Sequence, residues 1–170
     1  MIKNSLPYLA LAGGVIFLDR LTKYLAKDAL ALGESRPIIS EIFSLTRIHN
    51  PGGIFGLFPQ RGDLFLLFSL IVLIGVVALF LGAARKEPWP IFLPARLVMR
   101  KSYCIGLALV LGGGIGNFVD RIKWGYVLDF FDLHFWPVFN VADMSVTVGA
   151  GLLIILLVWP SVLLYNKGEK

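Results

Sequence analysis

Three long stretches without a charged residue constrain this chain more than any other feature of its sequence. They are Leu64–Ala84, Ser102–Val119 and Met144–Tyr165, and each is close to the roughly 20 residues that an α-helix needs to cross a bilayer. A shorter uncharged stretch, Ser5–Leu18, continues through two charged residues into a further apolar segment. Hydrophobic residues make up 57% of the chain, above the roughly 45–50% of soluble domains. The pattern predicts one domain, a mainly α integral membrane protein with four transmembrane helices.

Charge is distributed unevenly among the segments that connect these helices. The predicted helices cover about residues 6–25, 64–84, 102–119 and 142–165, and the segments between them are about 26–63, 85–101 and 120–141. The two termini and the loop 85–101 together carry eight basic and two acidic residues, against eight basic and nine acidic residues elsewhere. Cytoplasmic segments of membrane proteins carry such an excess of Lys and Arg. Both termini are therefore predicted to be cytoplasmic, and the net charge of +5 indicates topology rather than a nucleic-acid partner.

The first external segment, 26–63, contains a predicted strand. Between Ile42 and Ile48, β-branched and aromatic residues partly alternate with polar ones, which is typical of a half-buried strand. The turn-forming run Asn50–Gly53 follows, and Ile54–Phe58 is apolar again. One interpretation is a small sheet on the membrane surface that could hold an extended peptide by strand addition. The other is an ordinary structured loop.

Two helix faces and one aromatic segment also carry expectations. Asp19 and Lys23 are four residues apart on the first helix, in the order that favours an ion pair. Gly112 and Gly116 give the third helix a small-residue face that lets another backbone approach, so that Asn117 can reach the site. The second external segment, 120–141, is predicted to be a loop or helix. Its aromatic residues could form a belt at the membrane interface or line a cleft for an acyl chain.

Acidic residues gather where the third predicted helix ends and the fourth begins. With both termini inside, Asp120, Asp129 and Asp143 all reach the outer boundary of the bilayer, where ionisable groups are costly and by default functional. Two neighbouring aspartates cannot both ionise cheaply, so such a pair shares a proton. One can then act as a base toward water while the other donates to a scissile carbonyl. From spacing alone, the same aspartates could equally form structural ion pairs with Arg121 and Lys123.

Other chemistries have less support in the sequence. His49 and His134 lack the i, i+4 partner of a helical metal site, and Cys104 is the only cysteine, so neither a metal nor a cofactor is expected. A small protein forming a proton or ion pathway could use the same acids, but that function favours acids deep within the spans. A presenilin-type protease would need a G-x-G-D pattern, whereas Tyr126–Leu128 precedes Asp129.

Five motifs follow one another in order along nearly the whole chain. In this order and with this topology the sequence resembles the bacterial lipoprotein signal peptidases, also called type II signal peptidases. It departs from their pattern at Gly53-Ile54 and at Gly114, where small residues such as Ala or Ser are commoner. The motifs are Asp19-x-x-Thr22-Lys23, Asn50-x-Gly52-x-x-Phe55, Gly112-Gly113-x-x-Gly116-Asn117-x-x-Asp120-Arg121, Val127-x-Asp129-Phe130 and Phe139-Asn140-x-Ala142-Asp143.

The resemblance implies an aspartic endopeptidase of the bacterial inner membrane, with its site at the outer face and an external β-cradle. Its substrates would be diacylglyceryl-modified prolipoproteins within the membrane lipid, cleaved just before the lipidated cysteine, and globomycin-type cyclic peptides would inhibit it. Asp129 and Asp143 are the implied catalytic pair. Asp120 is expected to pair with Arg121 or to lie close to it. The residues implied to bind substrate or support the site are Asp19, Lys23, Asn50, Gly52, Asn117, Asp120, Arg121 and Asn140.

Overall fold

The computed structural model describes residues 5–52, 62–84 and 97–165. The predicted apolar return at 54–58 and the loop residues 85–96 lie outside this part of the chain. Within it, four helices and three strands follow one another. In chain order they are α1 (Leu6–Ala29), β1 (Ser35–Ile39), β2 (Phe43–Asn50), α2 (Gly62–Ala84), α3 (Leu97–Trp124), β3 (Val127–Asp132) and α4 (Val141–Tyr165).

Helix α3 is the central helix and packs against the other three. A Cβ atom on Gly112 would lie 2.7 Å from the backbone oxygen of Ala12 in α1, and one on Gly116 would lie 2.7 Å from a carboxylate oxygen of Asp19. Gly113 meets the backbone of α4 in the same way. The predicted small-residue face is therefore confirmed. It brings α3 close to two neighbouring helices, because only glycine leaves room for these backbone approaches.

The helices are apolar on their inner and outer faces alike. Phe68 and Ile74 of α2, for example, are 62% and 61% exposed. Three described helices are long and apolar enough to cross a membrane: Leu64–Gly82, Lys101–Trp124 and Val141–Val158. Apolar surface of this extent is favourable only against lipid, so the chain is a multi-pass membrane protein. Residues that α1, α2 and α3 bury together form the core, namely Ala12, Leu73, Val76, Phe80, Leu107, Ala108, Val110 and Leu111.

Helix α1 extends four residues beyond its predicted end near residue 25. It ends at Ala29, and two arginines supply hydrogen-bond donors to carbonyl groups at this end. Arg36 donates to the carbonyl of Ala29 at 3.0 Å, and Arg47 donates to that of Leu30 at 2.9 Å. Carbonyls at a helix end otherwise lack partners. These contacts also attach β1 and β2, which carry the two arginines, to the end of α1.

Helix α3 begins earlier and ends later than predicted, at Leu97 and Trp124 instead of near residues 102 and 119. The charge of Asp120 does not end the helix, because cations from α1 neutralise it, as described below. Gly125 then turns the chain out of the helix. Its φ angle of 74° and the hydrogen bond from its N–H to the carbonyl of Arg121 are typical of a glycine that follows a helix end.

The three strands form one antiparallel sheet in the order β1-β2-β3. The predicted strand at 42–48 is confirmed as β2, and its described partners are β1 and β3. The expectation of a loop or helix at 120–141 was wrong for the part that forms β3. There Val127, Leu128 and Phe130 are buried, and the last two pack with Ala26 of α1. Burial against a helix, which the sequence does not show, makes this segment a strand rather than part of an aromatic belt.

The close approach of α1 and α3 can be tested by adding one methyl group. We expect Gly112→Ala to lower the melting temperature of the purified protein, because the new Cβ would meet the carbonyl oxygen of Ala12. Overpacking of this kind costs about 1–3 kcal/mol. Gly14→Ala on α1 is the control, since a Cβ there meets nothing within 4 Å and alanine favours helix. Equal melting temperatures for the two variants would contradict the proposed packing.

Candidate active site

Four charged side chains form a cluster between α1 and α3. The ammonium nitrogen of Lys23 lies 3.0 Å from Asp19 and 2.7 Å from Asp120, and both carboxylates are fully buried. The predicted ion pair of Asp19 and Lys23 is thereby confirmed. Arg20 completes the cluster, at 2.9 Å from Asp19 and 2.6 Å from Asp120. Buried charges require such complete pairing, because an unpaired ion in a low-dielectric interior is strongly destabilising.

The expected pairing of Asp120 with Arg121 was wrong. Adjacent residues on a helix point about 100° apart, so the carboxylate of Asp120 faces α1 and contacts Arg20 and Lys23 there. The described hydrogen bond of Arg121 instead runs from Nη1 to the carbonyl of Asn117, at 3.5 Å. Asp120 also accepts a hydrogen bond from the backbone N–H of Leu128 at 3.4 Å, and so holds β3 against the end of α3.

Asn117 transmits the position of Lys23 to Asp143. Lys23 donates to the side-chain oxygen of Asn117 at 3.0 Å, and the amide nitrogen of Asn117 donates to Oδ1 of Asp143 at 2.7 Å. The reversed amide would place an NH2 group against the ammonium group, so Lys23 fixes the orientation of Asn117. The hydrogen bond that Asp143 of α4 accepts from Asn117 of α3 therefore depends on Lys23 of α1.

Asn140 caps the start of α4 and joins both aspartates. The N–H of Asp143 donates to the side-chain oxygen of Asn140 at 2.9 Å, and the N–H of Asn140 donates to Oδ2 of Asp143 at 3.1 Å. This reciprocal arrangement is a capping box, with asparagine and aspartate in the two side-chain positions. The amide nitrogen of Asn140 then remains available to Asp129, to which it donates at 2.6 Å. In the same helix turn, the N–H of Ala142 donates to Asp19 at 3.1 Å.

Asn50 approaches Asp129 from the sheet. Ile48 lies opposite Asp129 in the pairing of β2 with β3, and Asn50 lies opposite Val127. The N–H of Gly52 donates to the side-chain oxygen of Asn50 at 3.1 Å, which leaves its amide nitrogen to donate to Asp129 at 3.0 Å. The tight turn after β2 therefore orients this asparagine, as Lys23 orients Asn117.

A common rule describes the whole arrangement. Each of the three asparagines has its side-chain oxygen held by a donor, so its NH2 group points at an aspartate: Asn50 and Asn140 at Asp129, and Asn117 at Asp143. The structure thus brings together nine of the ten residues expected at the site. Arg121, the tenth, makes no described hydrogen bond or ion pair with a carboxylate, but it lies close enough to Asp143 and Asp129 for their charges to act on it.

Burial and the neighbouring charge of Asp143 raise the pKa of Asp129 to about 7, although hydrogen bonds from Asn50 and Asn140 and the charge of Lys23 partly offset them. A carboxyl group whose pKa is raised in this way retains its proton closer to neutral pH than an ordinary aspartate does. Such a group can both accept and donate a proton near pH 7, which is the property required of an acid–base catalyst.

Sequence analysis missed Arg20. The sequence does contain a signal for it, because Arg20 directly follows Asp19, but Lys23 had been assigned to Asp19 and Arg121 to Asp120. The backbone donors on Leu128 and Ala142 have no comparable signal, since any residue type provides an N–H group. Within residues 5–52, 62–84 and 97–165, no group of three His, Cys, Asp or Glu side chains could hold a metal ion.

Fold and site together define a multi-pass membrane protein with two amide-bound aspartates beside the ends of its helices. The sequence model of the family described as "Signal peptidase (SPase) II" matches residues 11–159. The chain therefore belongs to the signal peptidase II family, and it is a peptidase.

Relatives with known names or structures agree with this membership. The lipoprotein signal peptidase of Moorella thermoacetica is 41% identical over 165 residues, which cover 97% of both chains. That of Brevibacillus brevis is 40% identical, over 87% of this chain and 92% of its own. The fold is also similar to a solved structure described as a bacterial membrane enzyme at 2.3 Å resolution. Its TM-score is 0.74 at 28% identity, covering 96% of this chain and 91% of the other.

The raised pKa of Asp129 predicts a pH-dependent stability. In an unfolded chain an aspartate has a pKa near 3.9, so between about pH 4 and pH 7 the folded state binds more protons than the unfolded state. The free energy of unfolding should therefore fall as pH rises through this window, by a few kcal/mol.

Asp129→Asn removes this titration. We expect its melting temperature to exceed that of the wild type by more at pH 8 than at pH 5. Asp132→Asn, on the same strand, is the control and should follow the wild-type curve. Parallel curves for the wild type and Asp129→Asn would show that Asp129 does not titrate in this range.

Proposed function

We propose that Asp129 and Asp143 are the catalytic pair with which this chain removes signal peptides from prolipoproteins. The observation that carries the proposal is the shared contact with Asn140, whose side-chain amide binds one carboxylate while its backbone N–H binds the other. One further asparagine binds each acid. Fixed donors around two acids set their orientation before substrate arrives, and this preorganisation is a main source of catalytic rate.

The proposed reaction is the attack of water on the scissile amide, assisted by a pair that holds one proton. The ionised carboxylate removes a proton from water as the water oxygen bonds to the carbonyl carbon, while the protonated carboxyl group gives its proton to the carbonyl oxygen. In the resulting diol, the C–N bond then breaks. The leaving nitrogen takes a proton from one acid, and the other acid takes a proton from a hydroxyl group. The pair again holds one proton.

The proposed substrates are diacylglyceryl-modified prolipoproteins, cleaved just before the lipidated cysteine. A diacylglyceryl group remains in the lipid, so the neighbouring bond must be cleaved at the membrane boundary. The helix-end position of Asp143 supports this assignment. The exposed apolar side chains of Ile122 and Met144, next in sequence to Arg121 and Asp143, offer a surface for acyl chains. Arg121 is proposed to contact substrate, and globomycin-type cyclic peptides to compete for the same site.

The ion-pathway alternative has no observation in its favour. Asp19 and Asp120 are neutralised by Lys23 and Arg20, and this cluster lies at one end of the helices. We therefore assign the acids around Asn140 to the peptidase site and not to an ion pathway. Asp19, Lys23, Asn50, Gly52, Asn117, Asp120 and Asn140 are proposed to support the pair through the contacts described above.

The proposed topology has four spans in the bacterial inner membrane, with α1 as the first. Its charged residues Asp19, Arg20 and Lys23 lie toward one end, where their pairing in the cluster lowers the cost of placing them near lipid. The excess of basic residues near the termini and the loop 85–101 supports a cytoplasmic location of these segments. The sheet and the catalytic pair then lie at the outer face.

The catalytic assignment predicts a large loss of activity from either single substitution. We expect purified Asp129→Asn and Asp143→Asn each to cleave a diacylglyceryl-modified prolipoprotein at least about a thousandfold more slowly than the wild type, since loss of a catalytic group costs this much in other hydrolases. Asp132→Asn is the matched control, because Asp132 lies on β3 and its carboxylate accepts hydrogen bonds from Thr46 and His134, not from a residue of the proposed site. It should retain near wild-type activity.

A folded Asp129→Asn or Asp143→Asn variant that keeps full activity would refute the catalytic pair. Lipid recognition is tested separately, with the same precursor lacking the diacylglyceryl group. Cleavage of that precursor at the wild-type rate would remove the lipid from the proposal and leave the catalytic pair unaffected.

The topology predicts which engineered cysteines are accessible from outside the cell. In a Cys104→Ser background, we expect Ser40→Cys to react with a membrane-impermeant maleimide on intact cells. Ser5→Cys should react only after the membrane is permeabilised, because α1 separates the two positions. The parent without cysteine is the control. Labelling of both positions on intact cells would show that α1 does not cross the membrane.

A further inference from the structure

Arg20 occupies an unspecified position of the first motif, yet it contacts the charges that support the proposed catalytic pair. Its Nη2 atom lies 2.9 Å from Asp19 and 2.6 Å from Asp120. The same atom donates to the carbonyl of Gly116 at 3.0 Å. Its guanidinium carbon lies 5.9 Å from the ring centre of Trp124. Through this one nitrogen, Arg20 contacts Asp19 of α1 and both Asp120 and Gly116 of α3.

Arg20 makes the cluster electrically neutral. Asp19, Asp120 and Lys23 are each at most 2% exposed, and without Arg20 they would carry one uncompensated negative charge. A buried net charge of this kind is relieved either by protonation of a carboxylate or by movement of the remaining cation toward the acids. Arg20 prevents both, since it contacts each of the two carboxylates.

The position of Lys23 depends on this neutrality. An ammonium group has three N–H donors, and those of Lys23 are directed to Asp19, Asp120 and the side-chain oxygen of Asn117. If Lys23 alone had to neutralise two carboxylates, they would draw it away from the neutral amide. Asn117 would then lose the charged donor on its side-chain oxygen and keep only the amide of Asn140, at 3.2 Å, to direct its NH2 group to Asp143.

We propose that Arg20 is a positioning residue for the peptidase reaction: by neutralising Asp19 and Asp120, it leaves Lys23 free to orient Asn117 toward Asp143. The inference rests on the proposed catalytic role of Asp129 and Asp143. It assigns no contact between Arg20 and substrate.

The electrostatic part of this role is visible in the pH dependence of catalysis. The charged groups around the pair come from every element packed there, and they are Asp19, Arg20 and Lys23 of α1, Asp120 and Arg121 of α3, Asp129 of β3 and Asp143 of α4. Loss of one cation from this set disfavours the ionised form of the catalytic carboxylates. The whole pH profile of kcat should then move to higher pH.

The experiment compares Arg20→Gln with Arg20→Lys in the full chain, using a diacylglyceryl-modified prolipoprotein. For Arg20→Gln we expect kcat to fall roughly ten- to a hundredfold, as for a small displacement of catalytic groups, with KM changed by less than about threefold. Its pH profile should move upward by about 0.5–1 unit. Arg20→Lys should restore the pH profile, because it keeps the positive charge of the cluster.

A charge-matched double variant separates electrostatics from packing. Arg20→Gln combined with Asp120→Asn removes one charge of each sign, so its pH profile should return toward the wild-type position. A profile of Arg20→Gln that stays in place or moves to lower pH overturns the proposal, whatever the activity. If Arg20→Gln does not fold, the double variant decides: a folded, active double variant supports the charge argument, and one that also fails to fold overturns it.

Failure of this inference can be distinguished from failure of the proposed function. The Asp129→Asn and Asp143→Asn variants are assayed with the same substrate. If both are inactive while Arg20→Gln shows no upward shift, the catalytic pair stands and the role of Arg20 falls. If either dyad variant is active, the catalytic assignment itself fails, and the inference about Arg20 fails with it.

Discussion

The rest of the site depends on the contacts that the ammonium group of Lys23 makes. This group is almost fully buried and reaches two carboxylates and one amide oxygen on α1 and α3. A buried cation tolerates few positions, because each unsatisfied N–H or lost counter-charge is expensive. The two helices must therefore approach closely, and the glycines of α3 allow this approach. Packing and electrostatics thus impose the same spacing on α1 and α3.

The acids that bind Lys23 also attach the segments that carry the proposed catalytic pair. Asp19 accepts a hydrogen bond from Ala142 at the start of α4, and Asp120 accepts one from Leu128 in β3. Asp143 directly follows Ala142 in the chain, and Asp129 directly follows Leu128. The charged cluster is therefore not a separate structural element beneath the site. It fixes the backbone immediately before each aspartate, while the asparagines fix the carboxylates themselves.

Much of this arrangement could be predicted from the sequence, because membrane spans, charge bias and ordered motifs are local features. The uncharged runs predicted α2, α3 and α4, and the spacing of Asp19 and Lys23 predicted their ion pair. Strand β3 could not be predicted, since its burial depends on Ala26, about 100 residues earlier in the chain. The partner of Asp120 was missed for a related reason: sequence proximity favoured Arg121, whereas helix geometry directs the carboxylate to α1. The partner that a side chain finds on a neighbouring helix depends on how the helices pack in three dimensions.

Asn140 has two roles in this structure. It caps the N-terminus of α4, and its side-chain amide donates a hydrogen bond to Asp129. Formation of the first turn of α4 is therefore the same event as completion of the site. Helix α4 follows every other described element along the chain, so it is synthesised after them. The chain therefore carries the sheet, the charged cluster and Asp129 before it carries Asp143 and the cap. The site proposed above is complete only once α4 has formed its first turn.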